Sequence, residues 1–206
     1  VVNGDLTTSS SVGMFLDADG DVLVDGDLTA FSDLNIASSG EMSISGDVDA
    51  AFADLEFTAN RLRFGGAAME AASLRLTALG GGNESPVLFL NETGVQLLIA
   101  GDFNLDSNAP AGVASLGSLG DLSLTAANID LGESTLTSLG DLTLDTDGVL
   151  TVQDLNALGN LILRGSELVI QLEDGRTVDM ICGGAFVADV DTVTKVGEGD
   201  FRFAPT

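Results

Sequence analysis

Ser118-Leu119-Gly120-Asp121-Leu122-Ser123-Leu124 returns twenty residues later as Ser138-Leu139-Gly140-Asp141-Leu142-Thr143-Leu144. A phrase that recurs at so short an interval marks a chain assembled from stacked, near-identical units. Working outward, Gly159-Asn160-Leu161 follows 19 residues after Gly140, and Gly101-Asp102-Phe103 precedes Gly120 by 19. Earlier copies are Gly4-Asp5-Leu6, Gly26-Asp27-Leu28 and Gly46-Asp47-Val48, with a degenerate Gly65-Gly66-Ala67 after them. The 35 residues between Gly66 and Gly101 fit two irregular coils spanning Leu74 to Ile99.

Apolar residues alternate around each phrase. Leu122 and Leu124, Leu142 and Leu144, and Leu161 and Leu163 share one side, as do Val22 and Val24, Met42 and Ile44, and Leu62 and Phe64. A second alternating segment follows in each unit, at Leu34 and Ile36, Leu55 and Phe57, Leu74 and Leu76, Ile129 and Leu131, and Leu150 and Val152. Period-two alternation over four or five residues reads as short, half-buried strands. Between them lie Gly, Asp, Ser and Asn, residues that supply positive φ or local hydrogen bonds at turns. The best helical stretch, Ala67–Ala72, is short and reads as a bulged corner or a one-turn insert. With 26 glycines, long helices are costly. The period predicts an all-β fold, a parallel β-helix (β-solenoid) with coils of 19–22 residues. Its shaft is expected over residues 1–185, with irregular coils at 66–100, and residues 186–206 form a cap or a subunit-contacting strand. Ten Phe with no Trp or Tyr suggest interior ring stacks free of polar groups.

Composition excludes several functions. Hydrophobic residues make up 45% of the chain, so it is not a disordered acidic tail. The 32 acidic against 7 basic residues give a net charge of −25. Such a surface disfavours nucleic acid and anionic membranes, and it suits a medium rich in salt or divalent cations. No apolar run reaches membrane-span length. The single Cys182 allows no intrachain disulfide and reads as a small buried residue. Beginning at Val1 without a signal-like segment, the sequence is read as a processed or excised piece.

The stretch Gly120-Asp-Leu-Ser-Leu-Thr-Ala-Ala-Asn-Ile-Asp-Leu131 resembles the repeats of filamentous-haemagglutinin-like exoproteins, well over 101–170 and loosely over 1–66. That resemblance implies a secreted bacterial adhesin with a β-helical shaft. It carries over no catalytic or binding residue.

Histidine is absent, which removes the commonest general base, Ser–His–Asp triads and Cys/His zinc sites. The chain is therefore not expected to be an enzyme. Closely spaced Asp17, Asp19 and Asp21 around a Gly turn are the candidate ligands for calcium, although they lack an EF-hand's spacing. Thr135, Thr137, Thr143, Thr146 and Thr151 would line one flat face in an ice-binding solenoid. Phe201, Arg202 and Phe203 alternate in the last strand and are the candidate self-association residues, because solenoid ends expose unpaired edges. The expected function is an extracellular or cell-surface structural or adhesive solenoid that joins end to end with itself and meets cell-surface or matrix components. A polysaccharide-binding or polysaccharide-degrading β-helix is the alternative.

Overall fold

A computed structural model describes residues 1–9, 12–80, 85–109, 114–173 and 175–205. Every strand pairing in it is parallel, and there is no helix among the described residues. The chain winds as a β-solenoid of about nine turns with three faces per turn. At roughly 4.8 Å per rung, the rod is on the order of 43 Å long.

The first face is a ten-stranded sheet that begins with Val2–Asn3 and Val22–Asp25, runs through Leu116–Ser118 and Thr135–Ser138, and ends with Thr177–Cys182 and Asp200–Pro205. The second face holds Leu6–Thr8, Leu28–Ala30, Val95–Ile99, Leu122–Ala126 and Leu142–Thr146. The third holds Met14–Ala18, Leu34–Ser38, Asp102–Ser107, Asn128–Asp130 and Val149–Val152. Four long strands, Val48–Ala59, Ala68–Ala78, Leu161–Gln171 and Phe186–Val196, serve both of these faces in one run.

Alternate residues point inward and stack on like residues in the next turn. The second face contributes the column Leu28–Val48–Met69–Leu97–Leu124–Leu144–Leu163. The first gives Val22–Met42–Leu62–Val87–Leu116–Leu136–Leu155–Met180. The third gives Leu34–Leu55–Leu74–Phe103–Ile129–Leu150–Leu168. All of these side chains are buried. Each contributes about 1.5–3 kcal/mol by leaving water. Phe64 joins two of the interior rings, with centroids 6.0 Å from Phe57 and 5.4 Å from Phe89.

Several expectations change. Gly101-Asp102-Phe103 is not a copy of the Gly-Asp-Leu phrase in phase with the others. Phe103 pairs with Leu74 and Ile129 on the third face, whereas the rung below Leu122 is filled by Val95, preceded by Gly94. The interval from Gly66 to Gly101 therefore does not hold two extra coils. Leu74 closes one turn, and Leu97 stacks directly on Met69 in the next, 28 residues on. This predicted irregular stretch, 66–100, includes residues 81–84, which lie outside the described residues, as does Thr206 of the predicted 186–206 segment. Ala67–Ala72 forms no helical turn. Ala68–Ala71 is strand, and the expected bulge is a register shift between Ala71 and Ser73. Packing Met69 between Val48 and Leu97 outweighs the weak local helix propensity.

Of the ten phenylalanines expected inside, only Phe57, Phe64, Phe89 and Phe103 are buried. Phe15 is exposed at an outward register position opposite Asn35, and Phe31 and Phe52 are exposed at the corner between second and third faces. Segments 186–196 and 200–205 continue the ladders of the preceding turn.

Candidate functional site

The repeated phrase is built for stacking. Where the chain turns from first to second face, a backbone N–H leaves the regular ladder and needs an acceptor. The Asp of the phrase supplies it to the next turn. Asp27 N–H donates to Asp5 Oδ1 at 3.1 Å, Asp47 N–H to Asp27 Oδ1 at 2.9 Å, and Ala67 N–H to Asp47 Oδ1 at 2.7 Å. In the second half, Asp141 N–H donates to Asp121 Oδ1 at 2.8 Å and Asn160 N–H to Asp141 Oδ1 at 2.8 Å. Asn160 passes the ladder on to Ala185 N–H at 2.8 Å. In four copies the glycine before the Asp or Asn leaves room for the Asp carboxylate of the turn below. A Cβ on Gly26 would sit 2.6 Å from Asp5 Oδ1, and one on Gly46, Gly140 or Gly159 would meet the Asp beneath it still more closely. None of these four glycines has positive φ, so at them the requirement is space; the expected positive φ is found at Gly4 of the first copy and at Gly94.

The predicted calcium ligands sit at a related corner. Asp17, Asp19 and Asp21 are exposed, and Asp21 Oδ1 accepts the N–H of Glu41 at 2.8 Å. Among the described residues no group of three or more His, Cys, Asp or Glu side chains is arranged to hold a metal ion. The five threonines do not share a face. Thr135 and Thr137 lie on the first face, Thr143 on the second and Thr151 on the third, while Thr146 is buried with its hydroxyl on Ala127 O.

Phe201, Arg202 and Phe203 lie on the last strand of the first face, opposite Val178, Asp179 and Met180. Phe201 and Phe203 occupy core columns yet remain 36% and 38% exposed, and the Phe203 ring packs on Phe186 at 4.2 Å. Arg202 donates to Asp179 at 2.8 and 2.9 Å. That hydrogen bond, and then the charge of Asp179, hold the guanidinium pKa above its ordinary value. Lys195 pairs with Ile170, which pairs with Val152, so a cationic side chain stands in a core column at the edge.

Two features escaped the sequence reading. A groove of about 560 Å³ runs along the third face, lined by Phe15, Asp33, Asn35, Asp54, Glu56 and Arg75 among others. Asn35 Nδ2 donates to Glu56 Oε2 at 2.6 Å, and Ser73 Oγ to Asp54 Oδ1 at 2.7 Å. Its residues are 20 or so apart in sequence, and only the coil register reveals that they meet. The second is the tie made by Arg176, which reaches Asp154, Glu173 and Gln153 and fastens the longer turn before Thr177.

The fold defines a β-helical repeat protein. No family model, curated protein or solved structure matches the chain. No helix is long and apolar enough to cross a membrane among the described residues.

Proposed function

We propose that the protein is a non-enzymatic structural element, a shaft of an extracellular or cell-surface assembly that lengthens by stacking copies end to end. The observation that carries this reading is the continuity of the core columns. Leu6 and Ala188 belong to one column, and Met14 and Val193 to another, so the inward columns run unbroken from one end of the rod to the other. Strand edges of this kind pair readily with a further strand. Phe201 and Phe203 at one end and Leu16 at the other leave apolar area for a neighbour to cover. An adhesive role of the filamentous-haemagglutinin-like type is the finer form of the proposal, supported by the repeat phrase alone.

The test is rod length by small-angle scattering and negative-stain microscopy at screening salt. Rods lengthening in whole multiples are expected. Deletion of residues 199–206 is expected to leave single rods with an unchanged circular dichroism spectrum. Rods of one length at every concentration would overturn the reading.

The third-face groove favours a second reading, a seat for a neutral oligosaccharide, because it sets an exposed aromatic ring beside several hydrogen-bonding groups. Calorimetric titration with neutral oligosaccharides, compared with Phe15→Ala, tests it. Equal heats from both proteins would remove the groove as the seat.

A further inference from the structure

One corner between first and second faces departs from the Gly-Asp phrase. Gly120-Asp121, Gly140-Asp141 and Gly159-Asn160 each span that corner with two residues, between Leu119 and Leu122, Leu139 and Leu142, and Leu158 and Leu161. The corner in the turn before them uses four, Asn91-Glu92-Thr93-Gly94, between Leu90 and Val95. Of the ten asparagines only Asn83 and Asn91 stand two residues before Ser or Thr, with no proline between, which is the pattern of an N-glycosylation acceptor. Asn83 lies outside the described residues. A three-residue pattern alone decides nothing, but the fold sets Asn91 apart.

The four residues close a β-turn, with Gly94 N–H donating to Asn91 O at 3.2 Å and Gly94 at a φ of 119°. Inside it, Asn91 Oδ1 accepts the Thr93 N–H at 3.0 Å and the Thr93 hydroxyl at 2.6 Å. The backbone donor fixes which side-chain atom is the oxygen, in the manner of an Asx-turn. Nδ2 is left without a hydrogen-bond partner among the described residues. Asn35, Asn60, Asn128 and Asn160 differ, because each donates Nδ2 to a neighbouring turn, at Glu56, Ser39, Asp102 and Asp141. Glu92 and Thr93 are exposed and Asn91 is half-buried. An amide nitrogen is a weak nucleophile because its lone pair is shared with the carbonyl. As Nδ2 bonds to carbon and sheds a proton, negative charge moves onto Oδ1, where two donors already stand.

We propose that Asn91 is a glycosylation site that accepts a sugar activated as a diphosphate ester. Nδ2 attacks the anomeric carbon, and the N–C bond forms as the C–O bond to phosphate breaks. The diphosphate leaves with the bonding electron pair, one amide proton passes to a base of the transferring enzyme, and nothing is oxidised or reduced. Turns lie on both sides of this corner, since Val95 pairs with Leu122 and Gln96 with Ala68, so the sugar projects from the flank of the rod and leaves both end edges open. The extracellular part of the proposed function supplies the setting, but the two fail separately, since stacking is read from rod length and the sugar from mass.

The experiment takes the full chain from the cells that make it and maps its sugars by mass spectrometry with electron-transfer fragmentation, which separates Asn91 from Asn83. The expected result is a glycan on Asn91. Variants expressed in the same cells give the residue roles: Asn91→Gln and Thr93→Val should lose the sugar at this position, and Thr93→Ser, which keeps the hydroxyl, should retain it. Circular dichroism of the exposed-position variants checks that the rod is intact, and the wild-type map stands whether or not they fold. Sugar on the exported protein but not on its cytoplasmic pool identifies a lipid-borne donor, and sugar on both pools a nucleotide-borne one; either supports the site. A bare Asn91 in the natural protein, a glycan on Asn83 alone, or a Thr93→Val protein modified at Asn91 as fully as wild type would overturn the proposal.

Discussion

The smallest unit with a decisive role is the Gly-Asp pair at the corner between first and second faces. Asp141 accepts the amide of Asn160 from above, while Gly140 makes room for the carboxylate of Asp121 below. The two residue types are thus coupled across turns rather than within one. Gly140→Ala is expected to lower the melting temperature markedly, because its Cβ meets Asp121 Oδ1 and approaches Asp121 N at 2.8 Å. The expected cost is about 1–3 kcal/mol, as for a corner amide left without its acceptor. Gly20→Ala is the control. That glycine has ordinary φ and nothing within 4 Å of an added Cβ, so the substitution should be neutral or slightly stabilising. Denaturant melts of the two variants measure the difference, and equal melts would remove the space argument.

At the scale of the element, the decisive feature is which strand carries which column to the edge. The strand Phe186–Val196 brings Lys195 into the column that holds Val152 and Ile170. An inward-pointing charge on an edge strand discourages pairing with another chain, because its ammonium must be desolvated or bent aside. Lys195→Val should therefore strengthen end-to-end stacking, read as longer rods at lower protein concentration. Unchanged rod length would show that this position does not control the edge. The strand Ala68–Ala78 teaches a related lesson. Its Ala-Ala-Met-Glu-Ala-Ala start has helical character, yet the turns on both sides present Val48 and Leu97 to Met69, and packing decides the outcome.

For the whole molecule, stability is close to a sum over turns and their interfaces. Deleting residues 120–139 removes one full turn and joins Leu119 to Gly140, which restores the phrase. The product should keep a β-type circular dichroism spectrum and lose about one rung, roughly 4.8 Å, of length. Deleting residues 120–129 removes half a turn and brings strands of different faces into register, so it should not fold cooperatively. If both deletions melted alike, the turn would not be the unit of folding.

The sequence alone determined the solenoid class, the parallel stacking and most of the core, because period-two alternation and a twenty-residue phrase are local signals repeated many times. Leu122 with Leu124 and Leu150 with Val152 were legible for that reason. Tertiary structure alone decided the phase of the expanded middle turn, where Val95 rather than Phe103 sits beneath Leu122. It also decided the outward placing of Phe15, Phe31 and Phe52, the scattering of the threonines over three faces and the meeting of Phe15, Glu56 and Arg75 in one groove. Such features depend on which residue of one turn lies above which residue of the next. Insertions at corners shift that register by several residues while leaving each local pattern intact, so the phrase was readable from the chain and its alignment from turn to turn was not.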